Sequence, residues 1–117
     1  MKIVVPVDGS AFSLKALETA CNLAKSNPPS EVALVAVFLN VYDLEEEGHY
    51  VADKLKRQAE GALALAKDKA QEKGVSPKAR LVSGLSAADE IVKVAKSEKA
   101  DIIVIGAAPK GAALKRS

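Results

Sequence analysis

Short apolar runs alternate along the chain with longer stretches in which apolar residues return every third or fourth position, the marks of buried strands and amphipathic helices. Ile3 to Val7 is continuous, apolar and β-branched, as in a strand buried on both faces of a parallel sheet, and it stops at Asp8-Gly9-Ser10. Leu14, Leu17, Cys21 and Ala24 then recur at helical spacing, widened by Ala16 and Ala20, until Ser26-Asn27-Pro28-Pro29 breaks the pattern. Val32 to Leu39 is a second apolar run, bounded by those prolines and by Asn40, and reads as a second buried strand.

A polar loop follows, with Glu45-Glu46-Glu47-Gly48 at its tip. Val51, Leu55, Ala59, Ala62, Ala66 and Ala70 then mark one face of a long helix, with Gly74 placed as its left-handed cap. Ala79 to Val82 is short and mixed in polarity, which suits an edge strand ended by Ser83-Gly84. Ser86 and Asp89 have the spacing of a capping box, and Ala88, Ile91, Val92 and Ala95 form the stripe of a third helix. Ala100 to Gly106 is the last strand, wholly apolar from Ile102 to Ile105. The order β-α-β-α-β-α-β predicts the α/β class: a three-layer, doubly wound parallel sheet with right-handed crossovers and helices on both faces.

A length of 117 residues fits one domain over residues 1–117. With 49% apolar and 27% charged residues, a folded domain is expected rather than a disordered or fibrous chain. The aromatics are Phe12, Phe38, Tyr42 and Tyr50, with no Trp, and the net charge is only +2. Neither a base-stacking platform nor a strongly cationic surface is implied, so no specific nucleic-acid partner is expected. A single cysteine, Cys21, and a single histidine, His49, exclude an internal disulfide and a Cys/His zinc cluster. The apolar run at the N-terminus is too short for a signal peptide and no stretch reaches the ~18 apolar residues of a membrane span. The expectation is a cytoplasmic protein without a membrane partner.

In a doubly wound sheet, ligands bind outside the carboxyl ends of the strands where the winding reverses. Two such ends carry suitable residues: Pro6-Val7-Asp8-Gly9-Ser10 and Gly106-Ala107-Ala108-Pro109-Lys110-Gly111. If the first and fourth strands are neighbours, Asp8 faces Gly106 across a crevice. Asp8 can accept hydrogen bonds from a base or ribose, Gly106 permits close backbone approach, and Lys110 can meet a phosphate. The same residues also serve as an ordinary helix cap, a turn and a solvated lysine. Cys21 reads as a small hydrophobe on its helix, His49 as a solvated loop residue, and the three glutamates as a solvated loop rather than a metal site. No catalytic base or nucleophile has a partner, so no enzyme is expected, and any ATP hydrolysis would be slow and metal-assisted.

Ile3-Val4-Val5-Pro6-Val7-Asp8-Gly9-Ser10 with Ser13 and Ala16-Leu17, Val35-Ala36-Val37, and Ala100-Asp101-Ile102-Ile103-Val104-Ile105-Gly106 together resemble the universal stress protein family over the whole chain. The resemblance implies a Rossmann-like fold of the adenine nucleotide alpha hydrolase type with strand order 3-2-1-4-5, a homodimer, and in some members a site for ATP or AMP. It implies a stress-response regulator in which Pro6, Val7 and Asp8 line the nucleoside side, Asp8 meets the ribose, and Val37 packs near the base. Ile105 and Gly106 would begin the phosphate loop, and magnesium would enter only with ATP.

The family's ATP motif is G-x2-G-x9-G-[ST]. Here Gly106 supplies the first glycine, Pro109, which has no N–H to offer a phosphate, stands at the second, and the last pair has no counterpart before Ser117. Lys110, Lys115 and Arg116 offer charge in place of those donors, or form a solvated basic tail. The family's fourth helix and fifth strand likewise have no counterpart. The fourth strand is therefore expected at an edge, covered by residues beyond Ser117 or by a second chain. The alternative to a nucleotide site is a dimerising adaptor that binds protein partners. An adenylating enzyme would need an S-G-G-x-D-S loop after the first strand, and a receiver domain a phosphorylatable Asp where Ser83-Gly84 stands. A flavin site is supported by fold analogy alone.

Overall fold

The structure is a computed structural model that describes the backbone of residues 1–39 and 46–106 and the side chains of residues 1–39 and 52–106. β1 (Lys2–Pro6), α1 (Ala11–Ser26), β2 (Glu31–Leu39), α2 (Glu46–Glu72), β3 (Lys78–Gly84), α3 (Ala87–Ser97) and β4 (Ile102–Ile103) follow one another as the periodicity predicts. The sheet is parallel throughout in the order β3-β2-β1-β4, so the winding reverses between β1 and β4.

Both inner strands are apolar on both faces because both faces are covered. Ile3, Val5 and Val7 of the first strand segment and Val32, Leu34 and Ala36 of β2 point to α1 and α2, against Leu17, Cys21, Ala66 and Ala70. Val4, Ala33 and Val35 point the other way, to Val94 of α3 and its half-buried neighbours Ile91 and Val82. Two helices thus cover one face and α3 covers the other. Alanines fill the α2 contact, so this 27-residue helix, about 40 Å long, lies close to the sheet.

Gly74 closes α2 as the sequence predicts. Its φ of +81° lets Gly74 N–H donate to Gln71 C=O at 3.0 Å and Val75 N–H donate to Ala70 C=O at 2.9 Å, while Val75 packs on the core that holds Ala70. This is a Schellman cap with its apolar contact.

Several boundaries differ from the sequence reading. Glu46, Glu47 and Gly48 belong to α2 rather than to a loop tip, as acidic residues suit a first helical turn; Glu45, Asn40 and Tyr42 lie outside the described residues. β3 is an edge strand as expected, but it runs seven residues because its whole length pairs with β2. In α3, Ala88 and Val92 are exposed, and the buried line passes instead through Ile91 and Val94. β4 is far shorter than Ala100 to Gly106: only Ile102 and Ile103 pair as strand, and Val104 N–H donates to Val4 C=O at 2.9 Å. Ile102 and Ile105 are exposed, so the run is not buried on both faces. Among the described residues β4 is at the sheet edge, as expected.

The amino ends of the strands are tied together by charge. Glu98 is the C-cap residue of α3, its backbone N–H donating to Val94 C=O, and its carboxylate receives Lys2 Nζ at 3.1 Å, Lys78 Nζ at 3.2 Å and an Arg80 guanidinium nitrogen at 3.1 Å. The Lys2 bond is the largest of the effects that hold the Glu98 pKa down to about 2, with Arg80 and Lys78 adding to it against the opposing pull of burial. Lys2 also pairs with Glu31 at 3.4 Å, and Lys2 and Asp101 exchange bonds: Lys2 N–H to Asp101 Oδ2 at 2.7 Å, Asp101 N–H to Lys2 C=O at 2.8 Å.

Candidate functional site

The first strand ends in a sharp turn. Val7 is 5% exposed and its N–H still donates to Val35 C=O at 2.8 Å, but Gly9 takes φ +86°, which swings the chain out of the sheet and into α1. A Cβ at Gly9 would meet nothing closer than Ala62 Cβ at 3.8 Å, so it is the backbone angle, not crowding, that calls for glycine. Ser10 is the N-cap of α1, its hydroxyl accepting from Ser13 N–H at 3.2 Å.

Asp8 stands at the head of this turn with its side chain exposed. Its Oδ1 accepts from Ser10 N–H at 2.9 Å. The bonds from Ser10, hydroxyl first and N–H second, hold the Asp8 carboxyl below its usual range; Ser13 adds to this and partial burial opposes it. Asp8 is thus an ionised acceptor fixed in place by neutral dipoles.

Between the ends of β1 and β4 opens a crevice of about 270 Å³. Pro6, Val7, Asp8, Ile105 and Gly106, all singled out from the sequence, line it together. Ser10, from the same strand end, joins them, whereas sequence reading did not assign the remaining lining residues to the site: Phe12 and Ser13 from α1, and Ala87 and Ile91 from α3. Phe12 and Ile105 are 43% and 64% exposed, two apolar side chains beside one carboxylate. Such a lining can take a flat apolar ring and hold its polar substituents through Asp8.

Val37 is not in this crevice. It lines an adjoining hollow of about 210 Å³ with Val7, Asp8, Phe38, Leu55 and Gln58, and its half-buried side chain packs on the cluster under α3. The two hollows meet at Val7 and Asp8. Lys110 lies outside the described residues, as do Pro109, Lys115 and Arg116. Gly106 has a tighter role than ligand access, because a Cβ there would overlap the Phe12 carbonyl and come within 2.9 Å of Ser13 N. Its bare backbone lets the end of the last strand lie against the first turn of α1.

A larger hollow of about 530 Å³ lies between α1 and α2, lined by Lys15, Lys69 and Lys73 with Glu18 and Glu72. Lys73 pairs there with Glu18 at 3.3 Å and Lys69 with Glu72 at 3.9 Å, so these four charges are answered locally, and the hollow sits away from the strand ends. Cys21 is fully buried and burial pushes its thiol up, which leaves it as packing. Among the described residues, no group of three or more Cys, His, Asp and Glu side chains is placed to hold a metal, and no helix is long and apolar enough to cross a membrane.

A family model described as the universal stress protein family matches residues 1–116. The chain is similar to universal stress protein MJ0531 of Methanocaldococcus jannaschii, 37% identical over 108 residues that span 90% of this chain and 63% of that protein. It thus spans less than two thirds of that relative's length. It is also similar to universal stress protein YxiE of Bacillus subtilis, 32% identical over 116 residues, 90% of this chain and 77% of the relative. Among solved structures, a universal stress protein family member from Burkholderia pseudomallei matches with TM-score 0.79 and 25% identity over 98% of this chain and 87% of its own.

Two further structures share the fold. A family protein from Arabidopsis thaliana with AMP bound has TM-score 0.71 at 22% identity, over 92% of this chain and 76% of its own. A universal stress protein in complex with cAMP has TM-score 0.67 at 23% identity, over 88% and 73%.

Proposed function

The chain belongs to the universal stress protein family, and we propose that it is a stress-response regulator whose crevice between β1 and β4 takes an adenine nucleotide, AMP or ATP. The observation that carries this reading is the crevice itself: an ionised, dipole-held Asp8 beside apolar walls at the point where the winding reverses. Relatives of the same fold bind AMP and cAMP. In this reading Asp8 accepts from the ribose hydroxyls, Pro6 and Val7 flank the nucleoside, and the base reaches towards Val37 in the adjoining hollow. Ile105 and Gly106 lead into the phosphate side, where Lys110 supplies charge. Magnesium accompanies ATP only. Binding would alter association with a second copy of the chain or with protein partners, without chemistry on the nucleotide.

Pro109, at the position of the motif's second glycine, favours a second reading, a dimerising adaptor that binds no nucleotide. Calorimetric titration of AMP and ATP, with and without magnesium, into the wild type and Asp8→Ala separates the two. The nucleotide reading expects heat that Asp8→Ala abolishes. A wild type without heat at millimolar nucleotide leaves the adaptor.

A further inference from the structure

Underneath the Asp8-Gly9-Ser10 turn sits a hydroxyl on the buried face of α1, one turn before Leu17. Ser13 is only 5% exposed. Its hydroxyl donates to Ser10 C=O at 3.1 Å and accepts from Asp8 N–H at 3.3 Å, while its own N–H donates to Ser10 Oγ at 3.2 Å. Ser10 N–H completes the set by donating to Asp8 Oδ1. Ser10 C=O has a second donor in Leu14 N–H at 3.2 Å, so it keeps a partner without the Ser13 hydroxyl. For the part-buried Asp8 N–H, Ser13 Oγ is the acceptor, and Ser13 N also lies against Gly106 on the opposite wall.

We propose that Ser13 is a positioning residue, whose buried hydroxyl fixes where the Asp8 carboxylate stands at the mouth of the crevice. Its consequence for ligand affinity rests on the nucleotide reading above; its consequence for Asp8 does not. Removing the hydroxyl strands the Asp8 N–H, and the turn recovers the freedom to find another acceptor. The Ser10 bonds that hold Asp8 Oδ1 then loosen, and the carboxyl pKa climbs back towards its ordinary value.

NMR titration of the Asp8 side-chain carboxyl in wild type, Ser13→Ala and Ser13→Thr tests this without any ligand, with thermal melts confirming that each variant is folded. The expected result is an upward shift in Ser13→Ala that Ser13→Thr, which keeps the hydroxyl, reverses. An Asp8 titration unmoved by Ser13→Ala overturns the proposal. In calorimetry with AMP, Ser13→Ala is expected to weaken binding about 3–10-fold, the worth of one hydrogen bond. A wild type that takes up no AMP removes the nucleotide reading, and the Asp8 titration then decides on Ser13 by itself.

Discussion

At the amino end of the sheet, the Glu98 carboxylate draws Lys2, Lys78 and Arg80 to within 3.2 Å; at the carboxyl end, the Asp8 carboxylate is held by the hydroxyl and N–H groups of its own turn. Both pKa values fall below normal, yet for different reasons. Glu98 is answered by cations, and its charge is spent joining α3 to two strands, β1 and β3. Asp8 is stabilised by dipoles that leave its negative charge in place, facing the crevice. The same chemical group is therefore structural at one end and available to a ligand at the other.

The largest expected effect is at the structural end. Glu98→Ala leaves its cations facing one another and should lower the unfolding free energy by about 2–3 kcal/mol in a urea titration, while leaving the Asp8 turn intact. A loss comparable to that of an ordinary surface substitution would mean that the cations re-pair with Glu31 and solvent, and that the contrast between the ends is weaker than the distances imply.

Gly106→Ala attacks the other end through backbone packing. The added Cβ overlaps the Phe12 carbonyl, so strand end and helix must part, at a cost of about 1–3 kcal/mol. The same denaturation experiment reads it, and calorimetry with AMP should show the weaker binding of a distorted crevice. Equal stability would show that the contact yields freely.

Acid provides a gentler comparison. Glu98 has a folded pKa of about 2, below its ordinary 4.5, so its stabilisation is complete above about pH 4.5 and disappears as pH falls towards 2. Stability measured across that window should fall more steeply in the wild type than in Glu98→Gln; parallel slopes would contradict the assignment. Asp8, depressed less and exposed, adds a shallower dependence of the same sign.

The smallest change in stability is expected for Asp8→Ala, under about 1 kcal/mol, because the lost acceptor is exposed and Ser10 N–H can turn to water. Its effect should appear in nucleotide affinity instead. Asp8→Ala as destabilising as Glu98→Ala would erase the distinction between the two ends.

The strand-end rule made Asp8 and Gly106 legible, since it needs only strand order and the position of each run's end. The alternation within β1 and β2 was not legible, because a strand apolar on both faces hides which residue faces which helix. In α3, Val92 and Val94 look alike in the sequence; only the sheet beneath selects Val94. Glu98 was invisible for another reason: its partners come from the starts of β1 and β3, and no local pattern announces a meeting of residues so far apart in the chain. Ser13 was quoted within the family resemblance, yet its spacing from Ser10, which places it in the first helical turn, is the signal that would have revealed its buried role.

The closeness of Gly106 to the Phe12–Ser13 peptide bears on speed as much as on shape. Helix and strand end are wedged together without a spacer, so that flank of the crevice behaves as a fixed jaw rather than a hinged one. In the nucleotide reading, a visitor of matching shape docks without waiting for the jaw to open, and a mismatched one gains nothing by lingering. Discrimination then falls mainly on departure rates, with arrival set by diffusion and by the sign of the charge at Asp8.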